Sequence, residues 1–251
     1  MKTTLKTDRK RLTEYYDNGS KCWEVDFKDD RFEGSWNFWY ENGQKKEEIN
    51  YKNGVEEGIH IRWYEDGQKE SEGNYKNGKN DGPWTWWYDN GQKKSVESYK
   101  NGKNDGLITN WYENGQKKGK GNYKNGKAEG RHTFWYENGQ KKVEGNLKNG
   151  KNDGPWTVWD KNGQNKRVIN YKDGKQEGYI TNWYENGQKK SEGNSKNGKN
   201  DGLYTGWYEN GQKRGKGKFK NGKKDGLWTY WDKEGNVTET ETYKDGEFVK
   251  P

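Results

Sequence analysis

The 251-residue chain has one cysteine, one methionine, two histidines and three prolines. The lone Cys22 leaves nothing for an internal disulfide to join. Only His60 and His132 could supply the base that a nucleophilic triad needs. They stand 72 residues apart in one recurring position, so both read as sheet-face residues rather than ligands or bases. Aliphatic content is the largest deficit. Hydrophobic residues make up 25% and aromatics 16%, which leaves about 9% for Ala, Val, Ile, Leu, Met and Cys together. A layered Leu/Ile/Val core cannot be built from that. No run approaches the 18 apolar residues of a spanning helix. The start, Met1-Lys2-Thr3-Thr4-Leu5-Lys6, carries no hydrophobic segment, so no secretory signal and a cytoplasmic location are expected. With 35% charged residues and a mean hydropathy of −1.75, composition alone predicts disorder.

Tryptophan and glycine contradict that reading. There are 15 Trp, 18 Tyr and 36 Gly, and disordered chains are poor in aromatics. Their placement is periodic. Gly34, Gly58, Gly82, Gly106, Gly130, Gly154, Gly178, Gly202 and Gly226 recur every 24 residues. Five residues after each stands a tryptophan: Trp39, Trp63, Trp87, Trp111, Trp135, Trp159, Trp183, Trp207 and Trp231. We read residues 1–9 as a lead-in, 10–33 as a degenerate capping copy and 34–249 as nine tandem repeats forming one continuous domain.

Each repeat carries two Asn-Gly or Asp-Gly steps, such as Asn42-Gly43 and Asn53-Gly54. Flanked by strand-like residues, such steps signal two-residue type I′ hairpins. Read that way, Trp39 faces Lys46, Trp36 faces Ile49, Ile49 faces Gly58, and Gly73 lies opposite Gly82 in a trough that a ring could cover. The even period places the Trp column on one face with a Thr column (Thr85, Thr109, Thr133). Trp36, Tyr40, Tyr51 and Tyr64 fall on the other. The nine tryptophans are taken as structural. The expected fold is all-β: tandem 24-residue hairpins in an elongated, twisted, single-layer antiparallel meander.

Units such as WYENGQKKSEGNYKNGKNDG (residues 183–202) resemble the bacterial MORN-repeat variant, whose YYxNGxxxxEGxYxxGxxxG hairpins run in tandem. The resemblance covers about residues 10–249. It implies a sheet of β-hairpins, and many bacterial proteins of this type are classed with YwqK-like antitoxins, which implies neutralisation of a toxin. Choline-binding repeats also use Trp-Tyr hairpins, but with a shorter period.

The residues themselves point to binding rather than catalysis. The acids recur with the turns and read as turn chemistry and surface charge. No catalytic residue, metal ligand or cofactor site is expected, nor a small-molecule substrate. Among near-identical repeats, the position four after each glycine varies, reading Phe38, Arg62, Trp86, Asn110, Phe134, Val158, Asn182, Gly206 and Tyr230. Phe, Trp, Tyr and Arg are frequent binding hot spots. We therefore nominate Phe38, Arg62, Trp86, Phe134 and Tyr230 as partner-binding residues. The partner is expected to be a protein, foremost a toxin, occluded sterically; a structural or adaptor scaffold is the first alternative. Recurring lysines (Lys45-Lys46, Lys93-Lys94) and the net charge of +8 keep a nucleic-acid- or acidic-lipid-binding array as a further alternative. Most of these lysines read as solvated charge that guards strand edges.

Overall fold

The two Asn-Gly steps of a repeat fold differently. At the second, Asn53 (φ 52°) and Gly54 (φ 81°) are both left-handed, and Lys52 pairs directly with Val55. This is the two-residue type I′ turn that the dipeptide predicts. At the first, glycine Gly43 is left-handed but Asn42 is not. Gly43 N donates to Tyr40 O at 2.9 Å and Tyr40 N to Gln44 O at 2.9 Å. The loop is therefore Glu41-Asn42-Gly43, a three-residue connection with a bulge after it. The expected Trp39–Lys46 pairing is corrected: Trp36 does face Ile49 and Phe38 faces Glu47, but Trp39 pairs with Lys45. Asn42 has a different task from supplying positive φ. Its Oδ1 accepts from Gln44 N at 2.9 Å, the local bond for which Asn is favoured in turns.

The computed structural model describes residues 8–250, so residues 1–7 of the expected lead-in lie outside the described residues. Among the described residues there are 24 β-strands and no helix. The chain divides into two compact units, Met1–Lys127 and Ala128–Pro251. In the first, the degenerate copy forms a hairpin of Arg9–Tyr15 and Lys21–Lys28, followed by hairpins such as Gly34–Trp39 with Lys45–Lys52. In the second, Lys151–Trp159, Asn165–Lys172, Lys175–Trp183 and Lys189–Lys196 continue the same alternation. Within each unit strands pair antiparallel with the strand next in sequence, or with the one after it where only a two-residue strand (Arg31–Phe32, Lys79–Asn80 or Lys103–Asn104) intervenes. Each unit is thus an antiparallel meander one layer thick, as expected.

A second irregularity resets the register. Tyr51 pairs with Glu56 as predicted, but Ile49 pairs with His60 rather than Gly58. Residues Glu57-Gly58-Ile59 bulge against Asn50, whose Nδ2 donates to Ile59 O at 2.8 Å. The recurring glycine supplies the bend, since Gly58 has φ 97° and Gly106 φ 117°, values that favour glycine. Gly73 accordingly does not face Gly82. It falls in register with Trp84, one step beyond the pairs Ser71–Trp86 and Glu72–Thr85. Trp84, 4% exposed, lies flat on it. The same pairing recurs in the second unit, where Trp156 covers Gly145 and Trp228, 3% exposed, covers Gly217. Most of what core exists is this column, two residues after each repeat glycine, joined by Ile169 opposite Trp156 and by Val25 in the degenerate copy. The column holds Trp84, Ile108, His132, Trp156 and Trp228, all buried. The invariant Trp column on the opposite face is only half-buried.

Neighbouring repeats are tied at both sets of turns. Tyr40 Oη donates to Trp63 O at 2.8 Å, Tyr64 to Trp87 O at 2.8 Å and Tyr88 to Trp111 O at 2.9 Å. Tyr136, Tyr184 and Tyr208 do the same in the second unit. Asn42 Nδ2 reaches Glu65 O at 2.9 Å and Asn186 Nδ2 reaches Glu209 O at 2.7 Å. At the other turns, the acid before the repeat glycine accepts from the next turn's backbone, Glu57 from Asn77 N at 2.8 Å and Glu177 from Asn197 N at 2.8 Å. Where Asp160 replaces tyrosine, its carboxylate turns back on Asn162 N and Gln164 N.

Two stability outcomes follow. A Cβ at residue 73 would sit 2.0 Å from Trp84 Cδ2, so Gly73→Ala should cost about 1–3 kcal/mol by overpacking. In a Trp84→Ala background the same change should cost far less; urea unfolding of the four proteins measures the coupling. Tyr64→Phe removes one rung and should cost about 0.5–1.5 kcal/mol, read the same way.

Candidate partner-binding faces

Most of the paired lysines lie over rings while staying partly in solvent. Lys45 Nζ lies 5.5 Å from the Trp63 ring and Lys46 Nζ 5.5 Å from the Tyr40 ring. Lys141 and Lys142 repeat the arrangement over Trp159 and Tyr136, as do Lys189 and Lys190 over Trp207 and Tyr184. As neighbours in one strand the two lysines point to opposite faces, and each half-exposed cation–π contact contributes about 0.5–1 kcal/mol. Several also meet a carboxylate, as Lys141 does Glu144 at 3.0 Å and Lys189 does Glu192 at 2.8 Å.

The invariant tryptophans share their face with the Thr column and with the position one after each glycine. That position is apolar and exposed in several repeats: Ile59 and Leu107 in the first unit, and Tyr179 (68%), Leu203 (64%) and Leu227 (63%) in successive repeats of the second. Leu203 and Leu227 flank an open groove of about 640 Å³ that Lys213, Lys216, Lys218 and Trp231 also line. In most repeats Glu or Val occupies the position of Lys216, and Asn that of Lys218. Among the described residues neither lysine has an ion-pair partner. Sequence reading missed this column although it varies as much as the one nominated; the register that exposes it was needed to single it out.

The nominated residues lie on the other face, with the buried column. Phe38 stacks on Trp36 (5.0 Å, 28°), Trp86 on Trp84 (5.6 Å, 28°) and Tyr230 on Trp228 (6.2 Å, 26°). Arg62 stands 3.6 Å from Glu47 and 3.8 Å from Glu70, and Phe134 is exposed. In the first unit Phe38, Arg62 and Trp86 occupy one column in three successive repeats, whereas Phe134 and Tyr230 belong to the second unit. His60 bonds Glu47 at 2.8 Å and packs edge-on to Trp84, and His132 is buried. No cluster of three His, Cys, Asp or Glu suited to a metal occurs among the described residues. Among the described residues no helix is long and apolar enough to cross a membrane.

One position breaks the period chemically. Fifteen residues after each repeat glycine stands Gly or Ile, except for Glu97 and Glu241. Each accepts from the tyrosine two residues on: Tyr99 Oη to Glu97 and Tyr243 Oη to Glu241, both at 2.7 Å. Burial and then the Glu97 bond push the Tyr99 hydroxyl up to about 12.

The family described as MORN repeat variant matches nine tandem segments: 32–53, 56–77, 80–101, 104–125, 128–149, 152–173, 176–197, 200–221 and 224–245. The chain belongs to the MORN repeat variant family. The matched segments start just before each repeat glycine and end at the first residue of each two-residue turn, so the family's unit is the hairpin described above. The degenerate copy at 10–33 falls almost wholly outside the matches, yet it folds as the same hairpin. No curated protein matches the chain.

On the Trp face, Glu144 is half-buried. Burial raises its pKa, but hydrogen bonds from Arg131, Lys141 and Thr133 prevail and hold it at about 2 against an ordinary 4.5. A carboxyl with a depressed folded-state pKa stabilises fully above the unfolded value and loses that contribution as pH falls toward the folded one. Stability should therefore drop between about pH 4.5 and pH 2, and Glu144→Gln should flatten that part of the urea-midpoint profile.

Proposed function

We propose that the chain is a non-enzymatic protein-binding repeat array, and that it serves as an antitoxin or immunity protein covering a toxin's working surface. The observation that carries protein binding is the exposed apolar row Tyr179, Leu203 and Leu227 beside unpaired Lys216 and Lys218. Contiguous exposed apolar residues with a polar rim mark interaction sites, and the lysines favour a partner with an acidic patch. The antitoxin role is supported by the likeness of its repeats to bacterial MORN-variant antitoxins. A thin sheet has much surface per residue and few enclosed sites, which suits steric occlusion better than chemistry. A scaffold or adaptor would use the same row. The basic groove also favours a second reading, an acidic lipid or nucleic-acid ligand; that binding would weaken steeply with salt.

Co-expression with a candidate toxin encoded by the neighbouring gene tests the reading. The intact chain should restore growth, and Tyr179→Ser, Leu203→Ser and Leu227→Ser combined should weaken toxin binding at least about tenfold. No restored growth overturns the antitoxin role. Trp86→Ala and Phe134→Ala measure the opposite face; unchanged affinity in both removes it from the interface.

A further inference from the structure

We infer that Trp84, Trp86, Tyr99 and Glu97 form a binding site for an alkylammonium group. The second unit contains a filled version of the same site. There Lys224 Nζ stands 5.0, 5.2 and 4.4 Å from the rings of Trp228, Tyr230 and Tyr243. It bonds the Tyr230 hydroxyl at 2.5 Å and the Tyr243 hydroxyl at 3.1 Å, with the Glu241 carboxylate 3.8 Å away. Three ring faces and one carboxylate around an ammonium are the arrangement that cations seek among aromatics.

Counted from the repeat glycine, Trp228, Tyr230, Glu241 and Tyr243 occupy the positions of Trp84, Trp86, Glu97 and Tyr99. No other repeat holds all four types. The geometry matches too: the first two rings are near-parallel in both (28° and 26°), and the tyrosine-to-glutamate bond is 2.7 Å in both. Trp86 and Tyr99 meet edge-on at 6.5 Å. The difference is the plug. Two residues before the repeat glycine, where Lys224 stands, the first unit has Asn80, whose side chain is too short and carries no charge. Among the described residues no Lys, Arg or His pairs with Glu97, which is half-buried and held only by the neutral donors Tyr99, Asn104 and Ser95. No cation lies over Trp84, Trp86 or Tyr99. The site is a cation cage without its internal cation. Lys224 shows that the ligand can be a lysyl ammonium; a quaternary ammonium offers the same chemistry. The inference stands apart from the antitoxin reading, because its probes are small molecules.

Titration of the full chain with N-acetyl-lysine methylamide, followed by the indole N–H resonances, tests it. The Trp86 and Trp84 signals should shift saturably, and the isosteric norleucine amide should leave them in place. Tetramethylammonium in a parallel titration decides between the two sources: tighter binding than the lysine amide assigns the site to quaternary ammonium, weaker binding to lysine. Trp86→Ala should weaken the interaction at least about tenfold. Asn80→Lys, the substitution that copies the second unit, should abolish binding while the other indole signals keep their dispersion. Lys224→Asn should create a second set of saturable shifts. Equal shifts with the norleucine amide, or unaltered binding by Asn80→Lys, overturn the assignment.

Discussion

The structure depends on hydrogen bonds from turn side chains to the backbone of the next repeat. A sheet one layer thick has no second layer to hold its strands in register. Among the described residues no large side chain is fully buried, so burial alone cannot specify which strand lies beside which. The Tyr40, Tyr64 and Tyr88 hydroxyls and the Asn42 and Asn186 amides each end on a carbonyl in the following repeat, 23 residues on. At the opposite turns Glu57 and Glu177 do the same work from their own side chains. Stability of this kind accumulates repeat by repeat, which is how a chain of such low hydrophobicity can be ordered.

With register fixed at the turns, the sheet interior is free to differ between its faces. On one, tryptophans lie flat on glycines and carry the nearest thing to a core. On the other, half-buried tryptophans sit under lysines, next to an exposed row that no ring or charge covers. Glycine opposite a flat ring is a packing solution that aliphatic residues could not fill, because any Cβ at residue 73 would collide with Trp84. Scarcity of aliphatics and abundance of glycine are thus one property of the fold.

Much of this was legible in the sequence. The 24-residue step gave the repeat, the Asn-Gly pairs gave the hairpins, and the even period placed Trp39 and Trp36 on opposite faces. Partners were less legible. The bulge at Gly58 shifts the pairing by two residues, an even number, so side chains kept their faces while Ile49 changed its neighbour from Gly58 to His60. The three-residue loop at Glu41-Asn42-Gly43 added one residue, which moved Trp39 from Lys46 to Lys45 and exchanged the faces of the two lysines. An Asn-Gly pair does not announce which of these turns it will form. The exposed row at Tyr179, Leu203 and Leu227 went unmarked for the same reason, and so did Glu97, whose acid was grouped with those of the turns.

The sequence by itself determined the repeat, the family and the division into two faces. Those properties follow from local turn chemistry and from the alternation of a strand, and neither needs a distant contact. Only the tertiary structure decided which tryptophans are buried, which lysines are occupied and which carboxylates are caged. Each of these depends on the offset between neighbouring strands, and bulges with cross-repeat hydrogen bonds set that offset.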